Sequence, residues 1–307
     1  MTTGEPLPAA PLEAWLRRLG TTPGQLAFGG LVVLLVTGIP LALPYDPAAP
    51  LASVEALQER VPFGWLLRGA HLVGAHLFLV ALLAHTLDHL VAGSFRPLKA
   101  AVWWRAMLTL GLCVGGMFTG FLLRGDAEAR AAGGIAAEVA QGLPWIGGYV
   151  SRGLFGEPGG SLQVVYLHHL VTFGLLPWIL ASEHARRLWP GWLVAAACLG
   201  LATLGGLLHH PGPGPAPGLA TGTMLGPWYL VGVQETLRWL PPALGAIALP
   251  TGWMLLLGAL GHLGPETPGA GQPRRSARWL AALALWGTVL YLAATLGAFA
   301  LRSLGGA

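Results

Sequence analysis

Apolar stretches long enough to cross a bilayer, about 18 residues or more, recur along this chain, and no other feature restricts its fold so strongly. Inside hydrocarbon a backbone has no water to bond, so each stretch must close its own hydrogen bonds as a helix. Composition agrees: 54% of the 307 residues are hydrophobic and only 10% are charged. The mean hydropathy is +0.63. A water-soluble domain of this length needs more charge to cover its surface. The expected fold class is therefore an all-α polytopic membrane protein. Its 46 glycines fit helices that approach closely in lipid.

Seven spanning segments are expected, over residues 24–43, 65–92, 103–123, 163–187, 191–209, 241–262 and 278–302. The links include the Pro-rich PYDPAAP, a long mixed-charge stretch containing LPWIGGYVSRGLFG, and PGPGPAPGLATGTMLGPWYLVG. Pro250 falls inside the sixth segment, where neighbours must satisfy the carbonyl it frees. The net charge of +4 is informative through its placement. Arg17, Arg18, Arg96, Lys99, Arg105, Arg186, Arg187, Arg274, Arg275 and Arg278 gather on one side, mostly in short links. Arg60, Arg68, Arg124, Arg130, Arg152, Arg238 and Arg302 gather on the other. The positive-inside rule then puts the N-terminus in the cytoplasm of a bacterial-type inner membrane. The opening MTTGEPLPAAPLEAWLRRLG has no short apolar core with a cleavage site, so a signal peptide is not expected. Nor is a nucleic-acid partner.

The stretch HLVGAHLFLVALLAHTLDHL, 71–90, carries four histidines, and a ligating side chain in a bilayer is costly enough to imply function. His71 and His85 are fourteen residues apart. That is ~21 Å of helical rise with a net turn of only ~40°, so both lie on one face at two depths. Residues 163–187 repeat the pattern. His169 and His184 are fifteen apart and point ~60° from each other, whereas His168 and His184 point ~160° apart. An α-helical spacing therefore selects His169 over His168. The two segments run parallel, so His71 pairs with His169 near the outer surface and His85 with His184 near the cytoplasmic one. Bis-imidazole ligation of two b haems, through their iron, is the chemistry this pattern serves. A single membrane histidine is more often a hydrogen-bonded packing residue, and that is the reading for His76, His89 and His168. His209, His210 and His262 sit at segment ends, where interfacial solvation accounts for them. His85 and His89 present two imidazoles together, as for zinc, but without an evident third ligand. Cys113 and Cys198 lie in apolar runs and no C-x-x-C-H occurs, so neither a disulfide framework nor a covalently attached c-type haem is expected.

These residues resemble the cytochrome b family of quinol:cytochrome c (or plastocyanin) oxidoreductases over about residues 12–300. GWLLRGAH, 64–71, looks like the family's approach to its first haem ligand, and the resemblance makes Arg68 the partner of a haem propionate. TGIPLALPY, 37–45, resembles the end of the first helix. Gly24 and Gly38 are fourteen apart, matching the histidine spacing, and a residue without Cβ at each level lets a porphyrin approach. On the third helix Gly120 matches the family's glycine, while Ala106 stands at the other position. LPWIGGYV, 143–150, is similar to the loop flanking the family's outer quinol site.

The segments after Pro190 resemble the three-helix second half of the split, chloroplast-type version, here fused to the first half. The expected domains are a four-helix di-haem bundle over 1–190 and a three-helix part over 191–307. Thr22 stands where that version has a haem-tethering cysteine, so no third haem is expected.

Departures matter too. The family's Pro-Glu-Trp-Tyr, whose Glu accepts a quinol proton, is replaced by Gly226-Pro227-Trp228-Tyr229. Tyr229 keeps its place as a candidate at the quinol site. Glu235, eight residues after Pro227, is either a substitute acid or a solvated carboxylate at a helix boundary. Pro177 lies further from the first ligand than the family's proline. The resemblance implies a di-haem subunit moving electrons from quinol across the bilayer, with a Rieske-type iron–sulfur protein and a c-type cytochrome as partners, and a homodimer. Rival readings are a membrane anchor linking a dehydrogenase module to quinone, and a non-redox scaffold or transporter.

Overall fold

The computed structural model describes residues 16–17, 21–93, 99–185, 189–219, 224, 226–263 and 275–305, with the side chains of 182–185, 275–278 and 302–305 outside that description. Among the described residues all regular structure is helical. The apolar helices at the expected segments are α1 (Pro23–Ala42), α3 (Gly64–Ala92), α4 (Ala100–Leu122), α7 (163–185), α8 (Trp192–Leu208), α10 (Ala243–His262) and α11 (Arg275–Gly305). Six of these are long and apolar enough to cross a membrane, while α8 is a shorter apolar helix of 17 residues. The expected ends agree to within about three residues. Arg18, Arg96, Arg186, Arg187 and Arg274, used above for orientation, lie outside the described residues.

The stretches expected as links also contain helices: α2 (Pro50–Glu59), α5 (Ala127–Gln141), α6 (Gly147–Phe155) and α9 (Val231–Thr236). They gather at the end where α1 finishes and α3 begins, the outer end in the orientation the cations predict. Local chemistry sets their limits. Asp126 accepts from the N–H of Ala129 at 3.0 Å, capping α5. Gly125 precedes it at φ +68°, and a Cβ there would lie 2.6 Å from Pro50. Thr22 caps α1 by accepting from Gln25 N–H at 3.2 Å, with Pro23 next in the first turn. The Gly147 of the LPWIGG stretch has no room for a Cβ because its backbone runs against the carbonyl of Gln141.

Two prolines shape their helices in the same way. Residues 168–175 of α7 form a π-helix just before Pro177, and 243–248 of α10 form another just before Pro250. Proline lacks the N–H that the preceding turn needs, and its ring crowds the carbonyl four residues back. Widening the turn accommodates both. The Thr236 hydroxyl of a neighbouring helix is shared between its own Val233 carbonyl at 2.8 Å and the loosened Gly245 carbonyl of α10 at 3.0 Å.

Packing is by small residue against ring. α1 lies along α3 and α4 along α7. A Cβ on Gly30 of α1 would be 3.0 Å from Phe78 of α3, and one on Gly115 of α4 would be 2.5 Å from Phe173 of α7. α8 crosses α3 backbone to backbone: a Cβ on Gly69 would be 2.9 Å from the Gly206 carbonyl. At the other end α10 packs on α4, where Trp103 donates to the Leu257 carbonyl at 2.6 Å within a core of Leu90, Met107, Leu260 and Ala284. The bundle is thus two helix pairs, α1/α3 and α4/α7, set side by side.

Candidate haem site

His71 lies two turns into α3 and His169 at the start of the π-helix in α7. Their rings face each other with centroids 6.5 Å apart and planes inclined by 72°. Behind each ring stands a threonine on a different helix. Thr37 of α1 has its Oγ1 2.9 Å from His71 Nδ1, and Thr119 of α4 has its Oγ1 3.1 Å from His169 Nδ1. Each Nε2 has no hydrogen-bond partner among the described residues. Next to each threonine is a glycine: a Cβ on Gly38 would be 3.0 Å from His71 Cε1, and one on Gly120 would be 3.0 Å from His169 Cε1.

That separation has chemical meaning. A metal bound at an imidazole Nε2 sits about 2 Å from it, hence roughly 3 Å from the ring centre. Two imidazoles on opposite faces of one iron therefore hold their centres ~6–6.5 Å apart. The observed spacing fits one iron between them, as in a bis-histidine b haem. The same rings are too far apart to bond each other directly.

The family model Cytochrome b/b6/petB matches residues 19–188, more than half the chain. This chain belongs to the cytochrome b family. Curated relatives include the cytochrome b subunit of menaquinol:cytochrome c reductase from Geobacillus thermodenitrificans, 33% identical over 137 residues, or 44% of this chain and 61% of that one. The cytochrome b of Allochromatium vinosum is 31% identical over 164 residues, or 52% of this chain and 39% of its own. The chain thus matches about 40–60% of the length of these relatives. A solved structure described as a hyperthermophilic respiratory Complex III aligns over 91% of both chains with a TM-score of 0.59 at 18% identity, which shows a shared fold. The chain is an integral membrane cytochrome b whose regular structure, among the described residues, is all helical, and its relatives are subunits of quinol:cytochrome c oxidoreductase-type complexes.

The other sequence-predicted positions fall as follows. His85 lies fourteen residues along α3 from His71, with its ring 4.4 Å from that of His89. His184 is within α7, but its side chain lies outside the described residues. Gly24 is buried in the first turn of α1. Arg68 is one turn before His71, its Nη1 3.3 Å from Gln58 Oε1 and also donating to the Pro211 carbonyl. Among the described residues no three His, Cys, Asp or Glu side chains cluster as a metal site.

Helical spacing chose His169 over His168 on the premise of a regular α-helix, and that premise fails. A π-helix turns roughly 80–85° per residue rather than ~100°, so over 168–175 the α-helical angles no longer apply. The choice of His169 rests instead on its ring facing His71. His168 is occupied otherwise: its Nε2 is 2.8 Å from the Gly153 carbonyl and its Nδ1 2.9 Å from Thr172 Oγ1, tying α6 to α7. His76 bonds the Leu72 carbonyl at 2.9 Å. His262, expected to be solvated, accepts from Trp104 Nε1 at 2.9 Å.

At the outer end, Pro227 begins the turn that carries Tyr229, whose side chain is buried and whose carbonyl accepts from the Tyr291 hydroxyl at 3.3 Å. Burial pushes the Tyr229 phenol above its usual range, while the Arg124 guanidinium acts in the opposite sense. Glu235 lies on α9, which is indeed helical, and pairs with Arg238 at 3.4 Å with its side chain 27% exposed. A fully buried carboxylate, Asp126, is held by Arg124, whose Nε donates to it at 2.7 Å. The sequence reading did not use Thr37, Thr119 or Asp126. A signal for the threonines was present: the dipeptide Thr-Gly recurs at 37–38 and 119–120, each at the histidine level.

Proposed function

We propose that this chain is the di-haem subunit of a membrane complex that oxidises quinol and passes electrons to partner proteins. His71 and His169 would hold an outer haem through its iron, and His85 with His184 an inner one. The observation that carries this reading is the facing pair of imidazoles at 6.5 Å, each with an unbonded Nε2. Haem, when bound, supplies a one-electron carrier, and two of them stacked along α3 and α7 would conduct electrons through the bilayer.

The chain's own residues do the rest. Arg68 retains guanidinium N–H groups for a propionate, since among the described residues its Nη1 alone is engaged, by Gln58 and Pro211. Gly24, Gly38 and Gly120 keep the faces of α1 and α4 low beside the histidines. Tyr229, buried and neutral, offers a hydroxyl to a quinol at the outer end. Pro227 cannot accept a quinol proton, so Glu235 is the carboxylate on the adjoining helix left for that task. Residues 1–190 hold the haems and 191–307 close the outer site. A Rieske-type protein and a c-type cytochrome take the electrons; the Geobacillus relative is likewise a subunit of a menaquinol:cytochrome c reductase. The working unit is a homodimer in a bacterial-type inner membrane, with seven spans and the N-terminus in the cytoplasm.

A second reading, an anchor exchanging electrons between a dehydrogenase module and quinone, is favoured by one feature, the proline at 227. Purified, haem-replete protein separates these possibilities. Two b haems per chain and co-purification with an iron–sulfur subunit are expected. A b-type spectrum with a dehydrogenase module would favour the anchor, and no b-type absorbance change would overturn both.

A further inference from the structure

The two facing imidazoles are each backed by a hydroxyl whose single hydrogen is already committed. Thr37 Oγ1 lies 2.7 Å from the Val33 carbonyl, and Thr119 Oγ1 lies 2.9 Å from the Gly115 carbonyl. A carbonyl only accepts, so each threonine donates along its own helix. Its oxygen must then accept from the histidine, at 2.9 Å for His71 and 3.1 Å for His169. A neutral imidazole has one N–H, and this contact puts it on Nδ1. Nε2 is left with its lone pair and no hydrogen to donate.

We infer that Thr37 and Thr119 are positioning residues for the outer haem: they fix the tautomer of His71 and His169, hold the ring planes at 72°, and lower the reduction potential of the iron those rings bind. The inference rests on the haem reading above and goes beyond it. An acceptor behind Nδ1–H fixes ring orientation and makes Nε2 a more basic ligand. A more basic ligand favours the ferric state, which lowers the potential.

Two features argue against chance packing. The unit occurs twice, from different helix pairs, and each time the residue after the threonine is a glycine against the histidine Cε1 at the same 3.0 Å Cβ distance. Nor is the Thr-Gly pair repeated at the inner register of the sequence. Fourteen residues earlier on α1 and α4, the corresponding pairs are Pro23-Gly24 and Arg105-Ala106, with no hydroxyl. The device therefore distinguishes the outer haem from the inner one.

The test uses Thr37→Val, Thr119→Val and the matching Ser variants in the full complex. Three readouts apply: haem per chain, a redox titration resolving both haems, and the largest EPR g value, which reports the angle between axial imidazole planes. The outer haem is identified as the one absent from His71→Ala. Each Val variant should keep two haems and shift the ferric–ferrous equilibrium of the outer haem three- to tenfold toward ferrous. Tenfold is about 59 mV for one electron. Its outer g value should move, the inner haem should stay unchanged, and Ser should restore wild-type values. If a Val variant loses the outer haem while Ser keeps it with wild-type potential, the hydroxyl is again required. Unchanged potential and g value in both Val variants, an equal shift in both haems, or haem loss that Ser does not repair would overturn the inference. Failure of the haem reading itself would show separately, as wild-type protein without two b haems.

Discussion

At the outer level of the bundle two imidazoles from α3 and α7 face each other at 6.5 Å, each with a threonine behind it and a glycine beside it. Fourteen residues further along α3, His85 instead lies with its ring 4.4 Å from His89, one turn away on the same helix. The ligand spacing that sequence offers is much the same for both levels. The difference comes from the opposing helices. α1 and α4 present Thr37-Gly38 and Thr119-Gly120 to the outer histidines, but Pro23-Gly24 and Arg105-Ala106 at the inner register. Histidines at the right heights state which residues can ligate; the helices facing them decide whether the rings wait in a ligating geometry. The facing pair is held by hydrogen bonds that need no haem.

The sharpest way to break this comparison is at the inner level. If His85 ligates, His85→Ala lowers haem from two to one per chain while His89→Ala keeps two, counted after extraction from the purified protein. Haem loss from His89→Ala alone would reassign the inner ligand. A smaller effect is expected from the stiff outer loops. Asp126 is fully buried, caps α5 and holds Arg124. Asn still caps α5, and Arg124, part exposed, keeps its pairing with Glu128, so the loss is that of one charge-assisted contact and Asp126→Asn should cost ~1–2 kcal/mol. A lower midpoint in thermal denaturation, with α5 becoming accessible to protease, would show it.

Glycine substitutions then compare the levels directly. Gly38→Ala or Gly120→Ala puts a methyl 3.0 Å from a ligand ring. Either should weaken retention of the outer haem about tenfold, or ~1.4 kcal/mol, while Ala106→Gly leaves it untouched. Equal effects at all three positions would erase the distinction between levels.

The smallest effect is in alkali. Burial raises the Tyr45 and Tyr229 phenols above their ordinary value, so the folded chain keeps two protons that the unfolded chain loses above about pH 10. Stability contributed by these groups is complete below that pH and declines as pH rises past it, by at most ~1.4 kcal/mol per unit for each. Tyr45→Phe and Tyr229→Phe should flatten that decline in denaturation curves taken between pH 9 and 11. An unchanged slope would show that neither phenol is responsible.

Much of the fold was legible because hydrocarbon leaves a chain few choices. Runs such as 65–92 and 103–123 had to be helices, and their ends were found closely. The amphipathic helices α5 and α6 were not, since short helices tied by Asp126, Ser151 and His168 owe their form to tertiary contacts rather than to a long apolar period. Tyr45 donates to the Leu123 carbonyl at 2.7 Å and Tyr166 to that of Ala42 at 2.8 Å, pairings remote in sequence. The π-helix at 168–175 escaped too. Pro177 was visible, but a proline signals only that the ladder breaks, and a widened turn is one of several repairs. His71 and His169, expected from depth and face, lie ring against ring, although the α-helical angle that preferred His169 does not apply within the π-helix. Thr37 and Thr119 were missed because a threonine in a membrane helix ordinarily bonds its own backbone, which these two also do.

The central claim is that His71 and His169 grip the same iron. Haem counts in His71→Ala, His169→Ala and the double variant test it directly. Three preparations that each retain one haem, with the same remaining spectrum and potential, are the predicted result. A double variant that loses more than either single, or a single that keeps both haems, would contradict it.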